Sequence, residues 1–252
     1  MSATAAPALR RVLLAVHGIE PTSALLSTAG TLLQGAQAEL AGLFVEDAQL
    51  LRLAALPFTR EIGLASGTVR SLEVLDLERA LRTQAEQVRQ LLAQTAAALH
   101  VPWSFRITRG SLLDEALVGA AHADLVLIGQ RTRAVQRSLG RRDAAPSEPM
   151  VSALFDATDA AFRALDAALQ LAQGHAESIT LLLPAGSTAD TERLRQLAAQ
   201  RLQVAVHVPG VETLSARLAY RRRRALVLAT GFARADLAML VETADCPLVL
   251  VR

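Results

Sequence analysis

The sequence predicts an α/β protein built as two tandem doubly wound parallel-sheet units, and three observations carry that expectation. Short, fully apolar runs of strand length, such as RVLLAV and DLVLIG, alternate with amphipathic helical stretches, as in parallel sheets buried on both faces. The order strand, helix, strand, helix, strand, helix, strand runs through the chain twice, which is the pattern of crossover-connected strands. The length of 252 residues is large for one small sheet and comfortable for two.

The first unit opens with the strand Arg11 to Val16, followed by a turn at His17 and Gly18. Pro21 starts a helix with Leu25, Leu26, Leu32 and Leu33 on its apolar side, and Gly35 ends it, proline first and glycine last. Ala38 to Val45 reads as the second strand. The connection from Glu46 to Leu75 is broken by Pro57, with a short helix expected before it, and its length suits a lid or a docking segment. Leu77, Leu81, Ala85, Val88, Leu92, Ala96 and Leu99 then recur at spacings of four and three, one continuous helical stripe. Alternation around Trp103, Phe105 and Ile107 predicts a strand, Leu112 to Ala121 a short helix, and Asp124 to Gly129 a buried strand.

The polar, arginine-rich segment from Gln130 to Pro149 separates the units, so the domains are expected at 1–146, with the insertion 46–75 and no clear fifth strand, and at 147–252. The second unit repeats the order. Met150 to Phe155 is its first strand, a helix with Phe162, Leu165, Leu169 and Ala172 on one face closes at Gly174, and Ser178 to Leu183 is its second strand. A helix over 189–201, a strand over 203–208, a helix over 211–222, a strand over 225–229, a helix over 234–243 and a final strand over 247–252 complete it.

Composition excludes several functions. Net charge is only +2, too small a field to gather nucleic acid. The chain holds no lysine, which removes Walker-type phosphate loops and Schiff-base chemistry, and the single cysteine, Cys246, removes disulfides and CxxC sites and fits a reducing compartment. No stretch reaches roughly eighteen uncharged apolar residues, so no membrane insertion is expected and the location is read as cytoplasmic.

VLLAVHG, AELAGLFVED and RGSLLDEALVGAAHADLVLIG in the first half, with VSALFDATDAAFRALDAALQLA and ADCPLVLVR in the second, resemble the universal stress protein family over nearly the whole chain. The resemblance implies two adenine nucleotide α-hydrolase-like units. It also implies an ATP site built from an aspartate at the end of the first strand and a glycine loop, G-x2-G-x9-G-[ST], after the fourth, whose glycines let backbone N–H groups approach phosphates. Here the motifs depart from the family pattern. His17 stands where the first aspartate is expected, Thr132 occupies a glycine position, and Gly140 comes early and is followed by Arg141. The second unit keeps Asp156 but has Ala229 and Phe232 at loop-glycine positions.

The candidate cofactor-binding residues are therefore His17, Gly18, Gly129, Arg131, Gly140, Arg141 and Asp156, at the strand-order reversals where open α/β sheets bind ligands. Arg131, Arg133, Arg141 and Arg142 offer charged donors in place of lost backbone ones. Plainer readings stand beside these. His17 is a turn residue, Asp156 caps the helix that follows, Arg221 to Arg224 are solvated cations offsetting a helix dipole, Cys246 is core, and Asp114 and Glu115 compensate a helix N-terminus. No catalytic or metal motif is present. The function expected from sequence is a non-enzymatic stress-response module with weak or lost nucleotide binding and no required cofactor; the alternative is an ATP-binding switch using the first unit. Expected partners are a second copy, paired through the exposed edge of the last strand, or an unknown protein docking on 46–75.

Overall fold

The computed structural model describes residues 9–19, 22–63, 66–129, 150–173, 179–183, 188–202, 223–230, 234–244 and 246–252. The strand expected over 203–208, the helix over 211–222 and the linker after Gln130 lie outside them.

Every other expected element forms. In the first half, β1 (Arg11–Val16), β2 (Glu39–Asp47), β5 (Trp103–Gly110) and β6 (Leu125–Ile128) alternate with α1 (Thr22–Leu33), α3 (Val74–Leu99) and α4 (Leu112–Ala120). The long connection folds as α2 (Ala48–Ala54) and a small antiparallel hairpin, β3 (Arg60–Ile62) with β4 (Val69–Ser71). In the second half, β7 (Met150–Leu154), β8 (Ile179–Leu182), β9 (Arg223–Ala229) and β10 (Leu248–Val251) accompany α5 (Asp159–Leu171), α6 (Thr188–Leu202) and α7 (Arg234–Thr243).

Local chemistry explains most boundaries. Asp47 caps α2, its carboxylate accepting the N–H groups of Gln49 at 2.8 Å and Leu50 at 3.2 Å. Gly35, at φ 76°, takes the left-handed conformation just past α1. The stripe read from α3 is the buried one, with Leu81, Ala85, Val88, Leu92 and Ala96 all inside. The hairpin went unread in the sequence because its strands span three residues each, too short for alternation to register.

One sheet holds both units. Among the described residues its eight strands run β5-β2-β1-β6-β10-β9-β7-β8, parallel throughout except where β6 meets β10 antiparallel. Two separate sheets were expected; instead Leu248↔Ile128 and Val251↔Leu125 mark a seam across which strand direction reverses. The dimer expected through a free final strand loses its edge for the same reason, because β10 is paired on one side by β6 and on the other by β9. Among the described residues the outer strands of the sheet are β5 and β8.

Two apolar layers cover the sheet. Leu25, Leu32, Val88, Leu92, Leu165 and Leu171 of α1, α3 and α5 bury one face, while Leu113, Ala116, Leu237 and Leu240 of α4 and α7 bury the other. Helices on both faces of a mostly parallel sheet make this a doubly wound α/β fold.

The halves are also joined by polar groups. Gln170 donates to the carbonyls of Thr31 and Leu32 in the last turn of α1, both at 3.2 Å, satisfying groups the helix itself leaves unpaired. Arg224 donates to the Leu171 carbonyl at 2.9 Å and to the Thr31 hydroxyl at 3.2 Å. The reading of Arg224 as a solvated cation is thereby corrected. It is half-buried and ties the end of α5 to α1, and a bulge between Met150 and Val151 makes it the extra residue of β9 and re-aims it.

Candidate functional site

The strand order reverses between β1 and β6 in the first half and between β7 and β9 in the second. Because β10 runs antiparallel to β6, the two crevices open at opposite ends of the sheet. His17 and Asp156 therefore belong to separate sites.

In the first crevice, β1 delivers His17 and Gly18 directly after Val16, and Gly129 sits alongside, its N–H donating to the Ala15 carbonyl at 2.9 Å. The structure thus brings His17, Gly18 and Gly129 to one end of adjacent strands. Arg131, Gly140 and Arg141 lie outside the described residues. The turn closes on α1: the fully buried Thr22 donates its hydroxyl to the Gly18 carbonyl at 3.0 Å and its N–H to the Ile19 carbonyl at 3.0 Å. A side chain at Gly18 would meet only Gln84 Oε1 of α3, at an ordinary 3.7 Å, and the backbone there is not left-handed. Neither packing nor conformation requires glycine at this position.

Beside this crevice, at the carboxyl ends of β2 and β5, lies a charge network that sequence reading missed. Arg109 donates to Glu46 at 3.1 Å and to Glu78 of α3 at 3.3 Å, and these bonds, that to Glu46 first, raise its pKa above the ordinary arginine value. Thr108 donates to Glu115 of α4 at 3.2 Å. Glu46 and Glu78 thus flank one guanidinium, with Glu115 held at Thr108 and Asp47 next to Glu46 in the chain, and the joint field of these carboxylates disfavours a polyanion. The partners of Arg109 are 63 and 31 residues away, so no local pattern betrays them.

In the second crevice Asp156 is exposed at the end of β7. It was expected to cap α5, but the cap is Thr158, whose hydroxyl oxygen accepts the Ala161 N–H at 3.2 Å. Asp156 supports that cap from two residues upstream. Its Oδ1 accepts the Thr158 hydroxyl at 2.7 Å and the Thr158 N–H at 3.1 Å, bridging Ala157, which is held at φ 63°. Ala229, on the adjacent strand, is buried. Phe232 lies outside the described residues.

The remaining singled-out groups are structural. Cys246 is buried in the layer beneath α7. Asp114 lies in the first turn of α4 and pairs with Arg234 at 2.6 Å, and Glu115 binds Thr108. Among the described residues, no group of three or more histidine, cysteine, aspartate or glutamate side chains is placed to hold a metal ion. No described helix is long and apolar enough to cross a membrane.

No protein-family model matches the chain, and no curated protein matches it. Among solved structures it is similar to a universal stress protein from Archaeoglobus fulgidus DSM 4304, at 14% sequence identity and a TM-score of 0.49, over 96% of this chain and 98% of that chain.

Proposed function

We propose that this chain is a non-enzymatic module of the universal stress type, whose crevices bind nucleotide weakly or no longer, and which acts by docking other proteins. The observation that carries this reading is the use made of Asp156. The carboxylate that matches the family's base-binding aspartate has one oxygen occupied by both the hydroxyl and the N–H of Thr158, so it serves its own turn. In the first half the corresponding residue is His17, and the carboxylates of Glu46, Glu78 and Glu115 crowd the neighbouring strand ends, adding repulsion where a triphosphate would need attraction.

Docking is supported by where apolar surface is left open. Of the ten large hydrophobic residues exposed among the described residues, six (Leu53, Leu56, Phe58, Ile62, Val69 and Leu75) fall within the insertion 46–75. Phe58 is 96% exposed. Such clustering marks an interaction surface, whereas scattered exposed leucines do not.

The test is a melt of the purified protein against rising Mg·ATP. A ligand at about 100 times its Kd adds roughly 2.7 kcal/mol of stability, an unmistakable rise in melting temperature. The expected result is no rise up to millimolar nucleotide and no ATP turnover. A saturable rise abolished by Arg141→Ala would replace this reading with an ATP-binding switch in the first unit.

A further inference from the structure

We propose a binding site for a small carboxylate with an apolar body at the amino-terminal edge of the first half-sheet, at the opposite ends of β1 and β2 from the nucleotide-type crevice. A cavity of about 270 Å³ opens there between the sheet and the end of α4.

The strand register builds it. Leu13 of β1, Ala41 of β2 and Ser104 of β5 form one row across three strands, and Ala15, Leu43 and Arg106 form the next, all on the α4 side. α4 packs on β1 and β2 and meets the outer strand β5 through Glu115 and Thr108, and the small Ala41 at the centre of the row leaves the space open. Leu13, Ala41 and Ala123 make an apolar floor. Gly119 lets α4 come down onto it, since a Cβ there would fall 2.2 Å from Leu13 Cδ2.

The rim is cationic. Arg11 is already engaged, its Nε lying 3.4 Å from Glu39, whose other oxygen accepts the Ser104 hydroxyl. Arg106 is different: among the described residues it makes no hydrogen bond or ion pair, and its Nη2 lies 3.7 Å from the Cβ position at Gly119, over the cavity. His122 flanks the same opening. The carbonyls at the end of α4 would repel an anion, but Arg252 covers one of them, donating to Ala121 at 2.7 Å. A planar guanidinium with its donors unspent above an apolar floor suits a carboxylate carrying a small ring or branched chain. The volume is below the roughly 300–1,000 Å³ of drug-sized sites, so the ligand is small.

Benzoate is the probe, with benzamide as its uncharged match and acetate as its headgroup alone. In ¹H–¹⁵N spectra of the full chain, benzoate is expected to shift the amides of Ala41, Ser104, Arg106 and Ala123 saturably, benzamide not at all, and acetate with about tenfold lower affinity or worse. Arg106→Gln, a change at an exposed position, should weaken benzoate about tenfold or more, and Arg106→Lys should recover part of the loss. Benzoate that leaves these amides unmoved, benzamide that binds equally, or undiminished binding in Arg106→Gln would each overturn the site. None of these outcomes depends on whether either crevice binds ATP.

Discussion

The two halves of the sheet share one strand order but not one degree of completeness. In the second half, the β9 strand, equivalent to β6, is followed by β10, which lies parallel beside it and finishes the half. In the first half β6 has no such follower among the described residues, and its open side is covered by the same β10, now antiparallel. One strand therefore closes two half-sheets. The difference teaches that the repeats are not interchangeable: the first borrows its last hydrogen-bonding partner from the second, and the two should unfold together.

Leu250→Ala breaks or sharpens that point most directly. Leu250 is fully buried, opposite Val126 of β6 and Leu228 of β9, and its truncation should cost about 2–5 kcal/mol. The only tryptophan, Trp103, lies on β5 at the far edge of the first half, so its fluorescence reports that half alone. A denaturant midpoint that falls equally by Trp103 fluorescence and by far-ultraviolet circular dichroism is the expected result. If the Trp103 transition stays where it was, the halves are energetically separate.

Arg224 makes a further, polar link between the halves, and its loss should be smaller. Arg224→Ala leaves the Leu171 carbonyl and the Thr31 hydroxyl without their donor, a cost of about 1–3 kcal/mol in the same denaturation experiment. Arg224→Lys, a single ammonium on a flexible stem, should restore only part of it. A loss below about 0.5 kcal/mol for the alanine variant would mean that the bonds merely accompany the packing of α1 on α5.

Much of this architecture was legible in the sequence because it is written in local period. The stripe of α3 and the continuous apolar runs of β1, β6 and β10 each announce an element by themselves. The seam was not legible, because nothing in PLVLVR distinguishes a strand with one partner from a strand with two; only long-range pairing, from Leu248 with Ile128 to Val251 with Leu125, decides it. Arg224 was misread for a related reason, since a run of arginines looks solvated until a bulge turns one of them inward. At the candidate site, the strand ends bearing His17, Gly18, Gly129 and Asp156 followed from the topology, whereas the Glu46, Arg109 and Glu78 network is a product of tertiary contact alone.

The turns after the first strands give the finest comparison. Gly18 follows His17 in an ordinary conformation with room for a methyl group, while Ala157, one residue after Asp156, is held left-handed at φ 63°. Glycine thus stands where its freedom is unused, and alanine where that freedom is needed. Ala157→Gly should stabilise by about 1 kcal/mol, because the strain relieved exceeds the added flexibility of the unfolded chain. Gly18→Ala should stabilise by about 0.4–1 kcal/mol, purely by restricting that unfolded chain. Both gains are read as higher denaturant midpoints at unchanged slope. Destabilisation by Gly18→Ala would show that the backbone at His17 and Gly18 needs a freedom that the turn as folded does not display, and the two strand ends would then be more alike than their geometry suggests.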